Sequence, residues 1–252
     1  MKALVTGASS GIGYDIAIEL SNRGYDIIAV ARNKEKLENL RNKCKTNVII
    51  IPMDLSEEEN VFKLYEQVKN ENIDILVNDA GFGVFGKFTD TELHRELNLI
   101  EVNIKALHIL TKLFLKDMVK RDSGRILNVS SIAGMMPSGP MMSTYYASKA
   151  YVLSLTRGID IELKKMRSNV KISVLCPGPV DTDFNDVANV KFQIKPLSSS
   201  YVAKYTVKKM FKNKLEIVPG FSIKCIRFFS KIIPSKILSN ISYKMQMRKC
   251  KG

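Results

Sequence analysis

Long apolar runs are missing from this chain. No stretch of about 18 or more uncharged apolar residues occurs, so no helix is expected to span a bilayer. Cysteine is sparse. Cys44, Cys176, Cys225 and Cys250 lie far apart with no CxxC pair, which argues against a metal or disulfide framework and fits a reducing compartment. The opening MKALVTGASSGIG runs straight into strand-like sequence, without an apolar leader or a cleavage signature. No signal peptide is expected there, and a cytoplasmic protein is. Histidine is limited to His94 and His108, in a helical stretch with no cluster of acids or cysteines, so no metal ligands are predicted. Internal repeats and low-complexity linkers are absent as well.

Acids are missing from one part of the chain. Residues 1–186 carry as many acids as bases, whereas residues 187–252 carry 15 Lys or Arg against a single acid, Glu216. The last quarter therefore accounts for the whole net charge of +14. Such asymmetry points to an anionic partner or surface, or to a solvated lysine-rich face. Nucleic acid is not expected, because no reading motif accompanies the bulk charge.

What is present is a core and a rhythm. The chain has 252 residues, 45% of them hydrophobic, enough for one sizeable domain. Short apolar strands (KALVT, YDIIAV, NVIII, DILV, GRILNVS, VKISVLC) alternate with helical stretches, among them a long helical region over residues 89–120. Strands apolar at nearly every position have both faces covered. The alternation predicts an α/β fold with a doubly wound parallel β-sheet, in a single domain. After Cys176 the regularity breaks, and residues 184–214 read as a mobile loop with some helix, the kind of element that closes over a site. Pro234 is expected to split the tail, residues 221–252, into two helical pieces.

The first strand ends in TGASSGIG, with Gly7, Gly11 and Gly13 at a strand-to-helix turn. Glycines there let backbone N–H groups approach a pyrophosphate at a helix N-terminus, which points to a dinucleotide. The second strand ends in AVARN. A carboxylate for a ribose 2′-hydroxyl is replaced by Ala31 followed by Arg32, which is placed to clamp a 2′-phosphate. That predicts NADP(H) over NAD(H). Further on, STYYASKAYVLSL reads as a mostly apolar helix that holds Lys149 one turn after two tyrosines. A half-buried ammonium is costly unless something offsets its lost hydration. Spacing alone pairs Lys149 with either Tyr145 or Tyr146.

Taken in order, these residues resemble the short-chain dehydrogenase/reductase family. TGASSGIG looks like its cofactor turn, Asp54-Leu55 its adenine-contacting position and NDAG (residues 78–81) its NNAG motif. Asn103, Ser131, Tyr145 and Lys149 match its catalytic tetrad, and Pro177, Gly178 and Thr182 match its PGxxxT segment. The resemblance covers residues 1–183 and implies a Rossmann-type sheet of about seven strands. It assigns the cofactor to Gly7, Ser9, Ser10, Gly11, Ile12, Gly13, Arg32, Asp54, Leu55, Asn78, Ala80, Gly81, Tyr145, Lys149, Pro177, Gly178, Val180 and Thr182. It selects Tyr145 over Tyr146. Asp79 departs from the second asparagine of NNAG, which is expected to leave the structural role of Asn78 intact. The gap from Ser131 to Tyr145 is fourteen positions, one more than in many relatives, so Ser130 stands as the fallback serine.

The implied activity is NADP(H)-dependent interconversion of a ketone or aldehyde and an alcohol by hydride transfer. Tyr145 would exchange the proton, and Ser131 would orient the substrate oxygen. A phenol, with a pKa of about 10, is a poor base at neutral pH; Lys149 is expected to lower it and to grip ribose. Asn103 is expected to hold a relay water. The resemblance also implies a homodimer or homotetramer. Met135, Met136, Met141 and Met142, with Phe82, Val84 and Phe85, are expected either to form an apolar pocket for a steroid-like or long-chain substrate or to pack internally. A 3-oxoacyl thioester on a carrier protein is the alternative substrate, and a non-catalytic NADP(H)-binding protein the alternative class. The basic apolar tail is open to three readings: packing on its own domain with lysines outward, peripheral binding to an anionic membrane, or docking an acidic carrier protein.

Overall fold

The computed structural model describes residues 1–182, 196–230 and 232–249. Much of the expected lid, residues 184–195, and the last residues of the tail lie outside the described residues.

Seven strands form one parallel sheet: β1 (Lys2–Thr6), β2 (Asp26–Ala31), β3 (Val48–Pro52), β4 (Ile75–Asn78), β5 (Arg125–Val129), β6 (Lys171–Leu175) and β9 (Glu216–Ile217). Their order is β3-β2-β1-β4-β5-β6-β9. Two-residue strands β7 (Val180–Asp181) and β8 (Leu197–Ser198) pair separately. The central strands are nearly featureless in sequence because helices cover both faces. Leu4, Ile28, Leu76 and Ile126 pack on one side with α3 (Glu58–Val68), α5 (Leu107–Lys120) and α6 (Ser143–Lys165). Val5, Ile27, Val77 and Leu127 pack on the other with α1 (Gly11–Ser21), α2 (Lys34–Arg41) and α7 (Ser199–Met210). Burying such side chains contributes roughly 1.5–3 kcal/mol each.

The long helical region divides into α4 (Leu93–Ile100), a π-helical turn (Glu101–Ala106) and α5. π turns interrupt helices mostly where function requires it, and this one carries Asn103. The tail forms α8 (Phe221–Phe229) and α9 (Ser235–Lys249), split at Pro234 as expected. Glu216, the only acid of the last quarter, fastens this tail: it pairs with Arg157 of α6 at 2.8 Å and with Arg227 of α8.

A buried polar ladder runs beneath the C-terminal ends of the central strands β4 and β5. Asn78 Nδ2 donates to Thr111 Oγ1 (3.0 Å) and Asn128 Oδ1 (2.9 Å), and Asn128 Nδ2 donates to Thr156 Oγ1 (3.1 Å). Unpaired, these groups would each cost about 1–3 kcal/mol; paired, they join β4, β5, α5 and α6. The strand order reverses between β1 and β4, so the loops leaving them part and open a crevice at the strands' C-terminal ends.

Candidate active site

The crevice holds a cavity of about 810 Å³, large enough for a dinucleotide and a second molecule. The turn after β1 forms its floor. Gly7 and Gly11 take φ of +70° and +60°, conformations open to glycine at little cost. A Cβ on Gly7 would lie 2.8 Å from Ala80 N, and one on Gly13 2.7 Å from Gly7 O. Thr6 Oγ1 accepts from the backbone N–H groups of Asp79 and Ala80 at 3.1 and 3.2 Å, tying the loop after β4 to β1. These contacts leave no room for side chains, and the N-terminus of α1 stays open to a phosphate.

Ser9, Ser10, Ile12, Arg32, Asp54, Leu55, Ala80, Gly81, Pro177, Gly178, Val180 and Thr182 line the cavity with Gly7 and Gly11. Three expected residues stand behind it instead. Asn78 serves the polar ladder. Gly13 lies under the glycine turn. Asn103 is fully buried, and its amide closes on Phe82: Nδ2 donates to Phe82 O (2.9 Å) and to Ser148 Oγ (3.1 Å), while Oδ1 accepts from Phe82 N (3.0 Å). Both donors are thus spent on protein partners, and the amide fixes the loop after β4.

On α6, the choice between neighbours is made by the surroundings. Tyr145 lies beside Ser131, which hydrogen-bonds its hydroxyl, and the Lys149 ammonium is 5.9 Å from its ring centroid. Tyr146 turns toward the tail and accepts from Gln246 Nε2 at 3.2 Å. Ser130 Oγ donates to Lys149 O at 2.6 Å and so anchors the helix. Both serines line the cavity, and Ser131 is the one that meets the Tyr145 hydroxyl. Lys149 is buried, and Nζ donates to Val129 O at 3.0 Å.

The electrostatics correct one expectation. Tyr145 is not lowered: burial pushes its phenol up to about 12, with Ser131's hydrogen bond acting in the opposite direction and Tyr146 and Asp79 adding to the rise. Removing the phenol from water outweighs the Ser131 hydrogen bond. The phenol is thereby held in its protonated form.

Asp79 is the residue that sequence reading missed. Taken there as a harmless departure, it is half-buried in the cavity wall, held by the Gly13 N–H. Burial pushes its carboxyl up, and Lys149 acts against that rise. Burial likewise pushes the Lys149 ammonium down, and Asp79 acts against that fall. A carboxylate where relatives carry an amide was the available signal. Lys36, one turn beyond Arg32, also lines the cavity. Of the expected methionines, Met136 and Met142 line it, whereas Met135 packs against the Val152 cluster. Phe82 lines it too; Val84 and Phe85 pack behind with Leu99. The tail closes the far side through Ile223, Ile226, Phe229, Leu238 and Gln246.

Comparison with known proteins agrees with this geometry. A family model described as short chain dehydrogenase matches residues 1–191. An uncharacterized oxidoreductase of Staphylococcus aureus (strain MRSA252) is 36% identical over 183 residues, 71% of this chain and 78% of its own. A short-chain dehydrogenase from Sphingobium yanoikuyae in complex with NADPH has a TM-score of 0.81 at 27% identity, covering 87% of this chain and 88% of that one. The bulky-bulky ketone specific alcohol dehydrogenase from Comamonas testosteroni has a TM-score of 0.76 at 25% identity, covering 87% and 86%. From its glycine turn to Thr182, this chain belongs to the short-chain dehydrogenase family of oxidoreductases.

Proposed function

We propose that this oxidoreductase interconverts an apolar ketone or aldehyde and its alcohol, with NADP(H) as the preferred cofactor. The observation that carries the reading is Tyr145, hydrogen-bonded to Ser131 and beside Lys149, at the junction of a phosphate-ready glycine turn and an apolar chamber. The residues fit a nicotinamide dinucleotide: backbone donors at α1, Asp54 and Leu55 at one end, Pro177 to Thr182 at the other. Bound there, it would supply or take the hydride. Ser131 orients the substrate oxygen. Tyr145, kept protonated by burial, gives its proton to the oxygen as negative charge develops; an alkoxide is a stronger base than a phenolate, so the transfer runs downhill. Lys149 stabilises the phenolate left behind. Phe82, Met136, Met142, Ile226 and Phe229 exclude water and select a bulky apolar substrate.

The first test is NADPH oxidation by the full-length protein over a panel of steroid, aliphatic and aromatic ketones and acyl-thioester ketones, with NADH in parallel. Turnover of apolar ketones with NADPH is expected. Tight NADPH binding without turnover of any member would overturn the reading.

Arg32 and Lys36 flank the expected 2′-phosphate position, and Arg32 leans toward Asp54 at 4.0 Å. Arg32→Ala is expected to raise the KM for NADPH about tenfold, as for an exposed charge-assisted hydrogen bond, and to leave that for NADH nearly unchanged. Equal effects on both cofactors would remove Arg32 from the preference.

Asp79→Asn tests the coupling to Lys149. Without the carboxylate, Lys149 loses the group that favours its charged form, and Tyr145 loses one that raises its pKa. Both groups then give up their protons at lower pH. The high-pH limb of kcat/KM for ketone reduction is expected to move to lower pH, with the plateau within about tenfold of wild type. An unmoved limb would show that Asp79 does not act on either group.

A stripe of exposed Leu93, Leu97 and Ile100 on α4, at i, i+4 and i+7, supports a homo-oligomer joined through the helices flanking the site.

A further inference from the structure

The two tail helices each present two unlike faces. Inward, Ile223 of α8 packs in the Val152 cluster, and Leu238, Ser242 and Gln246 of α9, spaced four apart, are buried at the cavity. Ser239 Oγ and Ser138 Oγ hydrogen-bond at 2.7 Å, pinning α9 to the loop before α6. This is the packing reading of the tail. It leaves the outward side chains unexplained.

Outward, the two helices and the turn before the second expose large apolar residues: Phe221 is 81% exposed, Phe228 61%, Ile232 64% and Ile237 51%. Phe221, Lys224 and Phe228 share one face of α8, and Ile237, Ile241 and Lys244 one face of α9, by their three- and four-residue spacing. Lys224, Lys236 and Lys244 are all exposed, and no acid occurs from Phe221 onward. Phe229 and Ile241 belong to both worlds: they line the cavity and are 53% and 44% exposed. The mouth of the chamber therefore opens on this face.

We propose that α8 and α9 form a docking surface for an anionic lipid bilayer, with the cavity mouth turned toward the lipid. Three features select this occupant. A second copy, packed face to face, would set unopposed lysines against lysines. The core of a protein–protein interface is depleted in Lys, whereas here lysines stand among the exposed phenylalanines and isoleucines. A bilayer surface accepts both: apolar side chains enter the boundary between headgroups and acyl chains, and lysines reach to the phosphates. No described helix is long and apolar enough to cross a membrane, so the attachment is peripheral. That an apolar ketone enters from the bilayer rests on the reading of the cavity above; the docking itself does not.

The test is co-sedimentation of the full-length protein with phosphatidylcholine vesicles, with and without phosphatidylglycerol, at low and high salt. Binding is expected with phosphatidylglycerol, weak with phosphatidylcholine alone, and reversed by salt. The double variant Phe221→Ser/Phe228→Ser is expected to bind at least about tenfold more weakly, from the lost apolar burial. Neither residue lines the cavity, so reduction of a small water-soluble ketone by NADPH is expected to be unchanged. Failure to pellet with either vesicle, or equal pelleting of wild type and variant, would overturn the docking surface. So would a shift of the variant from oligomer to monomer on size exclusion, which would assign the face to a second copy. Ketone turnover without vesicle binding rejects the surface and leaves the active site standing; vesicle binding without turnover does the reverse.

Discussion

Tyr145→Phe is expected to lower kcat for ketone reduction about a thousandfold and to leave NADPH binding within a few-fold. The variant keeps the ring and its packing but deletes the proton that Tyr145 delivers, and positioned proton transfer contributes about 10²–10⁴-fold. Stability should change by only about 1 kcal/mol, for the lost hydrogen bond to Ser131. Tyr146→Phe is the matched control. It loses one hydrogen bond, from Gln246, and should stay within a few-fold of wild-type activity. Single-turnover kinetics with NADPH, cofactor fluorescence and thermal unfolding would separate these effects. A fully active Tyr145→Phe, or a collapse of activity in Tyr146→Phe instead, would refute the assignment.

Gly134→Ala is the second large effect, and it acts without touching the chemistry. Gly134 lies in the short 3₁₀ helix (Ile132–Met135) that follows Ser131. A Cβ there would strike the Lys149 carbonyl, lying 2.6 Å from its carbon, and come within 2.8 Å of Ser130 Oγ. Neither neighbour is a flexible tip. The carbonyl belongs to the backbone of α6, and the hydroxyl is committed to that same carbonyl. The 3₁₀ helix must therefore lift away from α6 and carry Ser131 from Tyr145. Overpacking of this kind costs about 1–3 kcal/mol, and a displacement of about 1 Å at a reacting group costs about a hundredfold in rate. Loss of both stability and kcat is expected. Gly158→Ala, on the exposed side of α6 with nothing within 4 Å of its Cβ, should raise stability by about 0.5–1 kcal/mol and leave kcat alone. Melting temperatures and kcat for the pair would decide the matter; an undisturbed Gly134→Ala would show that the 3₁₀ helix has slack.

The sequence by itself determined the sheet's strands, the glycine turn and the split tail, because those signals are local. A strand buried on both faces must be apolar throughout, Gly7 and Gly11 must hold positive φ within a few residues of β1, and Pro234 cannot continue a helix. It also placed Tyr145 and Lys149 on one helix, since four-residue spacing is a property of the chain. What it left open were choices between neighbours. By spacing, Tyr145 and Tyr146, or Ser131 and Ser130, differ by one position; all four line the cavity, and the packing of β5, α6 and α9 sets their partners, Ser131 for Tyr145, Gln246 for Tyr146 and the Lys149 carbonyl for Ser130. Asp79 shows the limit most clearly. As a letter in NDAG it is a small departure from an amide. Half-buried in the cavity wall and held by the Gly13 N–H, its carboxyl acts electrostatically on both Lys149 and Tyr145. That role arises from residues distant in sequence brought together at the ends of β1, β4 and α6, and no local pattern records it. The tail divides in the same way: its composition announced a basic apolar segment, but only the folded arrangement decided which residues close the chamber and which are left facing outward.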